Sequence, residues 1–245
     1  MKGRINTFQS LGAVDGPGLR YVVFMQGCPL HCPYCHNPET RDGTLGEEYS
    51  VETVCERVLR CRPYFGETGG ITVSGGEPLS QAPFVAELFS RLRARGIHTA
   101  LDTSGAGSPE AAARVLPHTD LVLCDIKFST EEAYRNHCGG SLAHTLAFLR
   151  LTEAKKIPLW VRHVVVPGLT DSPESLSEIK RLAESFSNLE KIEWLPFKNL
   201  CEPKYRRLGI SFPMAGTPAL SQSALEKLLH QALDSAERNG YHSER

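Results

Sequence analysis

The chain has 245 residues, enough to bury a sizeable core without disulfides or metal staples. Its formal net charge is −1 with acids and bases interspersed, which excludes a strong single-sign field aimed at nucleic acid or an anionic membrane. The longest apolar stretches, such as 21–25 and 164–167, are too short to span a bilayer, and residues 1–18 carry no apolar core of secretory type.

A cytoplasmic location follows as the expectation, and there thiols stay reduced. The eight cysteines (Cys28, Cys32, Cys35, Cys55, Cys61, Cys124, Cys138 and Cys201) therefore read as metal ligands or buried thiols rather than disulfides.

Along the chain, short Val/Ile/Leu-rich runs closed by Gly, Pro, Asp or Ser predict strands at Arg20–Met25, 70–74, 98–102, Leu121–Asp125, 159–166 and 191–195. Helical periodicity falls between them, at Val51–Arg60, 83–95, 109–116, 142–155, 173–186 and 222–238. Ser50 before Glu52, Ser108 before Pro109 and Glu110, and Ser172 before Pro173 and Glu174 mark helix starts, with acids at the positive end of the dipole. Six strand–helix alternations with near-continuous apolar strands imply parallel strands covered by helices, joined by right-handed crossovers. The expected fold is α/β: a partial (β/α)6 TIM-like barrel, open on one side, with a doubly wound sheet as its rival. No linker or repeat divides the chain, so residues 1–245 read as one domain.

Polar and glycine-rich residues gather just past the strand ends: Gln26-Gly27-Cys28, Ser74-Gly75-Gly76-Glu77, Asp102-Thr103-Ser104, Asp125-Ile126-Lys127, Val166-Pro167-Gly168 and Leu195-Pro196. That rim is where barrel enzymes place their sites.

The segment Cys28-Pro29-Leu30-His31-Cys32-Pro33-Tyr34-Cys35 puts three thiols directly after the first strand, in a stretch that its two prolines keep out of strand and regular helix. A structural zinc site and a ferredoxin-type cluster each want four protein ligands. Three local thiolates suggest a 4Fe–4S cluster with one iron left open. Three rivals share these residues: a thioredoxin-like dithiol at Cys32 and Cys35, a c-type haem attachment site ending at His36, and a zinc site completed by His36 or a distant cysteine.

With these segments the chain resembles the radical S-adenosylmethionine enzymes, and within them the activators of glycyl radical enzymes. The likeness runs over nearly the whole length. Its further marks are Val14-Asp15-Gly16-Pro17-Gly18, Tyr34-Cys35-His36-Asn37, Gly75-Gly76-Glu77-Pro78, Leu101-Asp102-Thr103 and Val164-Val165-Val166-Pro167-Gly168.

The resemblance implies a cluster on Cys28, Cys32 and Cys35 whose open iron chelates S-adenosylmethionine, and reductive cleavage to a 5′-deoxyadenosyl radical. It also implies hydrogen removal from a glycine of a partner enzyme. Flavodoxin or ferredoxin would supply the electron, and the activator would act as a monomer. For the cofactor it implies Tyr34 and His36 at the adenine end, Gly75, Gly76 and Glu77 at the amino group, and Lys127 at the carboxylate. Asp102, Asp125 and Ile126 would lie near the ribose, with Asp102, Thr103 and Asp125 also able to hold a monovalent cation. Asp15 and Arg162 would meet the partner's glycine loop. Read without the resemblance, the same residues make a tight turn, a rim ion pair and a solvated turn.

Close members of the family carry Tyr-His after the last strand's Leu-Pro, where this chain has Phe197-Lys198. A lysine can donate to a ribose but cannot accept as a neutral imidazole does. The stretch 37–70 holds only Cys55 and Cys61, too few for the ferredoxin insert of many other activators. Its absence favours pyruvate formate-lyase as the partner, over another glycyl radical enzyme or a small-molecule substrate.

Overall fold

The computed structural model describes residues 1–240. In chain order its main elements are β1 (Lys2–Gly12), β2 (Arg20–Met25), β3 (Glu47–Ser50), α1 (Val51–Arg60), β4 (Gly70–Gly75), α2 (Ala82–Arg93), β5 (His98–Thr103) and α3 (Pro109–Val115). There follow β6 (Leu121–Asp125), α4 (Glu131–Cys138), α5 (Leu142–Ala154), β7 (Leu159–Val165), α6 (Pro173–Glu184), β8 (Leu189–Pro196), α7 (Glu202–Arg207) and α8 (Gln222–Gly240). They build one sheet in the order β3-β1-β2-β4-β5-β6-β7-β8. The six strands from β2 to β8 are parallel to their neighbours, and β2 does not pair with β8, so the sheet stays open as expected.

The parallel strands are apolar because helices cover them. Val22, Val23 and Met25 of β2, and Ile71 and Val73 of β4, are fully buried. In α1, Val51, Val54, Cys55 and Val58 recur at helical spacing and form its buried face. The three serines marked as helix starts all cap: Ser50 accepts from the Thr53 amide, Ser108 from Ala111 and Ser172 from Ser175.

Four elements escaped the pattern. β1 and β3 pair antiparallel outside β2, with one wet side, so neither reads as an apolar run. α4 and α7 are short and carry mostly polar residues.

Arg20 ties the loop between β1 and β2 into this frame, and it is completely buried. Its Nε donates to Thr72 Oγ1 at 2.9 Å, one terminal nitrogen reaches the Pro17 and Thr68 carbonyls, and the other reaches the Ile71 carbonyl. Thr72 Oγ1 in turn donates to the Asp15 carbonyl at 2.7 Å. Burial lowers the Arg20 pKa to about 10. A lysine has the charge but not the planar fork, and would leave several of these acceptors unmet. Arg20→Lys is expected to cost about 2 kcal/mol and lower Tm by about 4–8 °C, measured by urea and thermal denaturation. An unchanged midpoint would show that the fork is not needed.

Candidate active site

The ends of the parallel strands open into a cavity of about 360 Å³. Cys28, Cys32, Tyr34, Cys35 and His36 line it from the loop after β2. Ser74, Gly75 and Gly76 come from the end of β4, Asp102 and Thr103 from β5, Asp125 and Lys127 from β6 and its exit, and Arg162 from β7. Asp15 completes the wall. Residues from five of the six strand ends picked out from the sequence therefore meet around one space, while Val166, Pro167 and Gly168 do not line it.

Backbone bonds hold the cysteine loop from several sides. Gly27 N donates to the Thr40 carbonyl at 2.7 Å and Cys28 N to the Arg41 carbonyl at 3.2 Å. Arg41 returns a guanidinium bond to the Cys32 carbonyl at 2.6 Å, the Tyr205 hydroxyl donates to the Cys35 carbonyl at 3.1 Å, and His31 N donates to the Cys138 carbonyl at 2.9 Å. Gly75 lies at φ +104°, and a Cβ on Gly76 would sit 2.2 Å from the Gly27 carbonyl oxygen. These glycines serve first to let β4 run against the loop.

Burial pushes the Cys28 thiol up to about 12 and raises Cys35 as well. Cys32 is held well above its usual range by its hydrogen bond to the Cys138 thiol and then by burial. A reactive CxxC pair needs a lowered thiol pKa, and burial works against one at Cys32 and Cys35. Among the described residues, no three His, Cys, Asp or Glu side chains converge as the ligands of a single ion do. All three thiols nevertheless line one chamber. Three soft donors around a space wider than one ion suit an iron–sulfur cluster.

The strand ends also bring charged side chains to the cavity. Lys127 Nζ lies 2.9 Å from Asp125 and Arg162 lies 3.1 Å from Asp102, with Glu193 3.5 Å from Arg162. Burial opposes the charge on Lys127, but Asp125 together with Cys32 and Tyr34 raises the ammonium pKa well above its usual value. Burial likewise opposes the Asp125 carboxylate, but Lys127 and Arg162 together bring it below its usual value. Burial raises Asp102 and Asp15, and each carries a further upward push from a neighbouring carboxylate. The Tyr34 hydroxyl donates to the Lys127 carbonyl at 3.0 Å, which ties the cysteine loop to the charged strand ends.

Three predicted cofactor residues are placed otherwise. The Glu77 carboxylate is fully buried and accepts from Leu79 N, Thr103 Oγ1, Ser104 N and Ser104 Oγ. It braces β4 to β5 and is not available to an ammonium group. The Ile126 side chain is buried in the core, and its carbonyl accepts from His163 Nδ1 at 2.7 Å. Lys198 turns its ammonium to the Leu220 carbonyl at 2.9 Å, and only its own carbonyl approaches the site, 2.8 Å from His36 Nε2.

Sequence reading passed over Arg41 and Tyr205, whose partners are backbone carbonyls that no motif records. It also left Cys138 unassigned. Thr130 ahead of Glu131 and Glu132 was a usable signal for the helix that ends at Cys138, since its side chain caps the Ala133 amide.

The Radical SAM superfamily profile matches residues 22–182. The chain is 40% identical over 236 residues to the pyruvate formate-lyase-activating enzyme of Clostridium pasteurianum, covering 95% of this chain and 99% of that protein. It is 40% identical over 234 residues to the enzyme of the same name from Staphylococcus aureus strain USA300, covering 92% and 93% respectively. In fold it resembles coproporphyrinogen III oxidase from Escherichia coli, described as a radical SAM enzyme, with TM-score 0.56 and 14% identity over 90% of this chain and 52% of that one. The chain belongs to the radical SAM superfamily.

Two outcomes are expected from the loop. Gly76→Ala drives a Cβ into the Gly27 backbone, so iron and sulfide per chain should fall severalfold after reconstitution. Full loading would mean that the loop can shift at little cost. Ligand thiols must lose their protons to bind metal, and raised pKa values make that harder at low pH. Iron bound at fixed time should therefore rise steadily from about pH 6.5 to about pH 9, and a flat profile would contradict the raised values.

Proposed function

We propose that this chain activates pyruvate formate-lyase by forming a glycyl radical on it, with a 4Fe–4S cluster on Cys28, Cys32 and Cys35 and with S-adenosylmethionine as cofactor. The observation that carries this reading is the convergence of those three thiols and the charged strand-end residues on one cavity. It is joined by 40% identity over nearly the full length of relatives bearing that activity in their names. Cys28, Cys32 and Cys35 would hold the cluster, which would supply the electron for reductive cleavage of S-adenosylmethionine and so the radical chemistry that removes a hydrogen from a glycine Cα.

The chain's residues position and shield. Lys127 meets the cofactor carboxylate while Asp125 keeps its charge in place. The backbone at Gly75 and Gly76 flanks the amino group, since both line the cavity and the Glu77 carboxylate is committed elsewhere. Tyr34 and His36 close the adenine end. Asp15, Asp102 and Asp125 face Lys127 and Arg162 in the lining, a surplus of carboxylate that favours a sulfonium. A monovalent cation beside Asp102, Thr103 and Asp125 would meet the same surplus. Asp15 and Arg162 receive the partner's glycine loop.

The reading includes a single domain, a monomer in the cytoplasm, and flavodoxin or ferredoxin as donor. Among the described residues no helix is long and apolar enough to cross a membrane.

The test is anaerobic reconstitution, reduction and addition of S-adenosylmethionine with pyruvate formate-lyase, followed by 5′-deoxyadenosine and the glycyl radical signal in electron paramagnetic resonance. Both are expected, and Cys32→Ala should lose both by at least about a thousandfold. Deoxyadenosine without a glycyl radical would leave the cofactor chemistry standing and overturn the partner. Cleavage that survives Cys32→Ala would overturn the ligand set.

A further inference from the structure

The carboxylate and amino sites of the cofactor reading lie on different strand exits, Lys127 just after β6 and the Gly75-Gly76 backbone at the end of β4. Lys127 has left the strand ladder, and side-chain hydroxyls hold its backbone instead. Its N–H donates to the Tyr134 hydroxyl at 3.0 Å, and its carbonyl accepts from the Tyr34 hydroxyl at 3.0 Å. The residue before it is held as firmly. Ile126 N donates to the Arg162 carbonyl at 3.0 Å, and the Ile126 carbonyl lies 2.7 Å from His163 Nδ1.

Tyr134 belongs to α4 and is 1% exposed. Its hydroxyl does more than accept. Thr145 Oγ1, buried in α5, lies 3.2 Å away, nearer than the Asp125 carbonyl at 3.4 Å. Thr145 in turn donates to the Ser104 carbonyl at 3.1 Å, with the Ser141 carbonyl farther off at 3.3 Å. Each hydroxyl has a single proton, so the shortest bonds set one direction: Lys127 N–H to Tyr134, Tyr134 to Thr145, Thr145 to Ser104. Ser104 is bound to the Glu77 carboxylate through its own N–H and hydroxyl, and Glu77 N donates to the Gly27 carbonyl next to Gly76. A buried line of hydrogen bonds therefore runs from the exit of β6 through α4 and α5 to the exits of β5 and β4. None of the roles assigned above uses Tyr134 or Thr145. A phenylalanine would fill the same space, so packing alone does not call for the hydroxyl.

We propose that Tyr134 is a positioning residue for cofactor binding: its hydroxyl fixes Lys127 at a set distance from the Gly75-Gly76 backbone, so that one amino-acid group is gripped at both ends. The inference rests on the reading of Lys127 as the partner of the S-adenosylmethionine carboxylate. A ligand without the amino-acid part does not depend on that distance.

The test compares two unreactive ligands on the anaerobically reconstituted protein by isothermal titration calorimetry. S-adenosylhomocysteine keeps the amino and carboxylate groups, and 5′-methylthioadenosine lacks both. Tyr134→Phe should weaken S-adenosylhomocysteine about tenfold, as expected when a buried amide loses its acceptor, and leave methylthioadenosine within about twofold. Lys127→Met should weaken S-adenosylhomocysteine as well, and adding Tyr134→Phe to it should cost little more, because the two act through one contact.

Equal weakening of both ligands, weakening of neither, or full additivity with Lys127→Met would overturn the proposal. Should methylthioadenosine bind too weakly to measure, the cycle with Lys127→Met decides alone. If Tyr134→Phe does not take up iron and sulfide, Thr145→Val decides, since it removes the next acceptor and leaves the Lys127 bond in place. A loss confined to S-adenosylhomocysteine then supports the proposal, and no loss or an equal loss for both ligands overturns it. Wild-type protein that binds neither ligand, or Lys127→Met that binds both as wild type does, would instead overturn the cofactor reading itself.

Discussion

The structure depends most on the close approach of two backbone segments, the end of β4 and the start of the cysteine loop. Phe24 pairs with Ser74 and Met25 with Gly75 in the parallel ladder. Beyond the strands the bonding continues, Gly76 N to the Met25 carbonyl at 2.9 Å and Glu77 N to the Gly27 carbonyl at 2.8 Å. No side chain fits between them at Gly76, so main chain meets main chain where the loop leaves β2. Glu77 extends the tie by binding the Thr103 and Ser104 groups at the end of β5. Three neighbouring strand ends are thereby fixed to one another.

That rigidity bears on the thiols. A loop without regular structure would ordinarily collapse its cysteines toward whatever partner is nearest. Here the restraints come from groups that are not candidate ligands: the carbonyls of Thr40 and Arg41, the Arg41 guanidinium and the Tyr205 hydroxyl. The sulfurs are held inside a chamber where burial makes their ionisation unfavourable. A cationic centre reverses the balance, because it replaces the protons and compensates the buried negative charge. The same logic governs the charged strand ends, where Asp125 and Lys127 each stabilise the charged form of the other against burial.

Much of this was legible in the sequence, for identifiable reasons. The six parallel strands showed because both faces are covered, which makes a run of apolar residues, and the Ser-capped helices showed because capping needs particular side chains. β1 and β3 were hidden by their wet face. In the site, the cysteines and the strand-end acids could be read from residue type, since only those types do that chemistry. What could not be read was direction. Glu77 and Lys198 have suitable charges at suitable places, yet one turns inward to four donors and the other turns to Leu220. The choice is made by neighbours distant in the chain, such as Ser104 and Leu220. Arg41, Tyr205 and Cys138 act on the loop through backbone or thiol contacts that leave no pattern in spacing.

The size of the cavity weighs on the choice of substrate. About 360 Å³ is at the low end of the range for one small-molecule ligand, so a bound cofactor would take most of it. A chain segment entering from outside needs only to bring one Cα to the edge of the cofactor. Asp15 is suited to meet such a segment, since it lies in the lining while Val14 beside it is 74% exposed. Its position is set by Thr72, which holds the Asp15 carbonyl and is itself held by the buried Arg20. The loop that would face a partner is therefore anchored in the core rather than by surface contacts, and it can present its side chains without ordering them at the moment of binding. Preorganisation of that kind spares the ordering cost of the loop, which would add to the rotation and translation lost in any association, of order 4–15 kcal/mol.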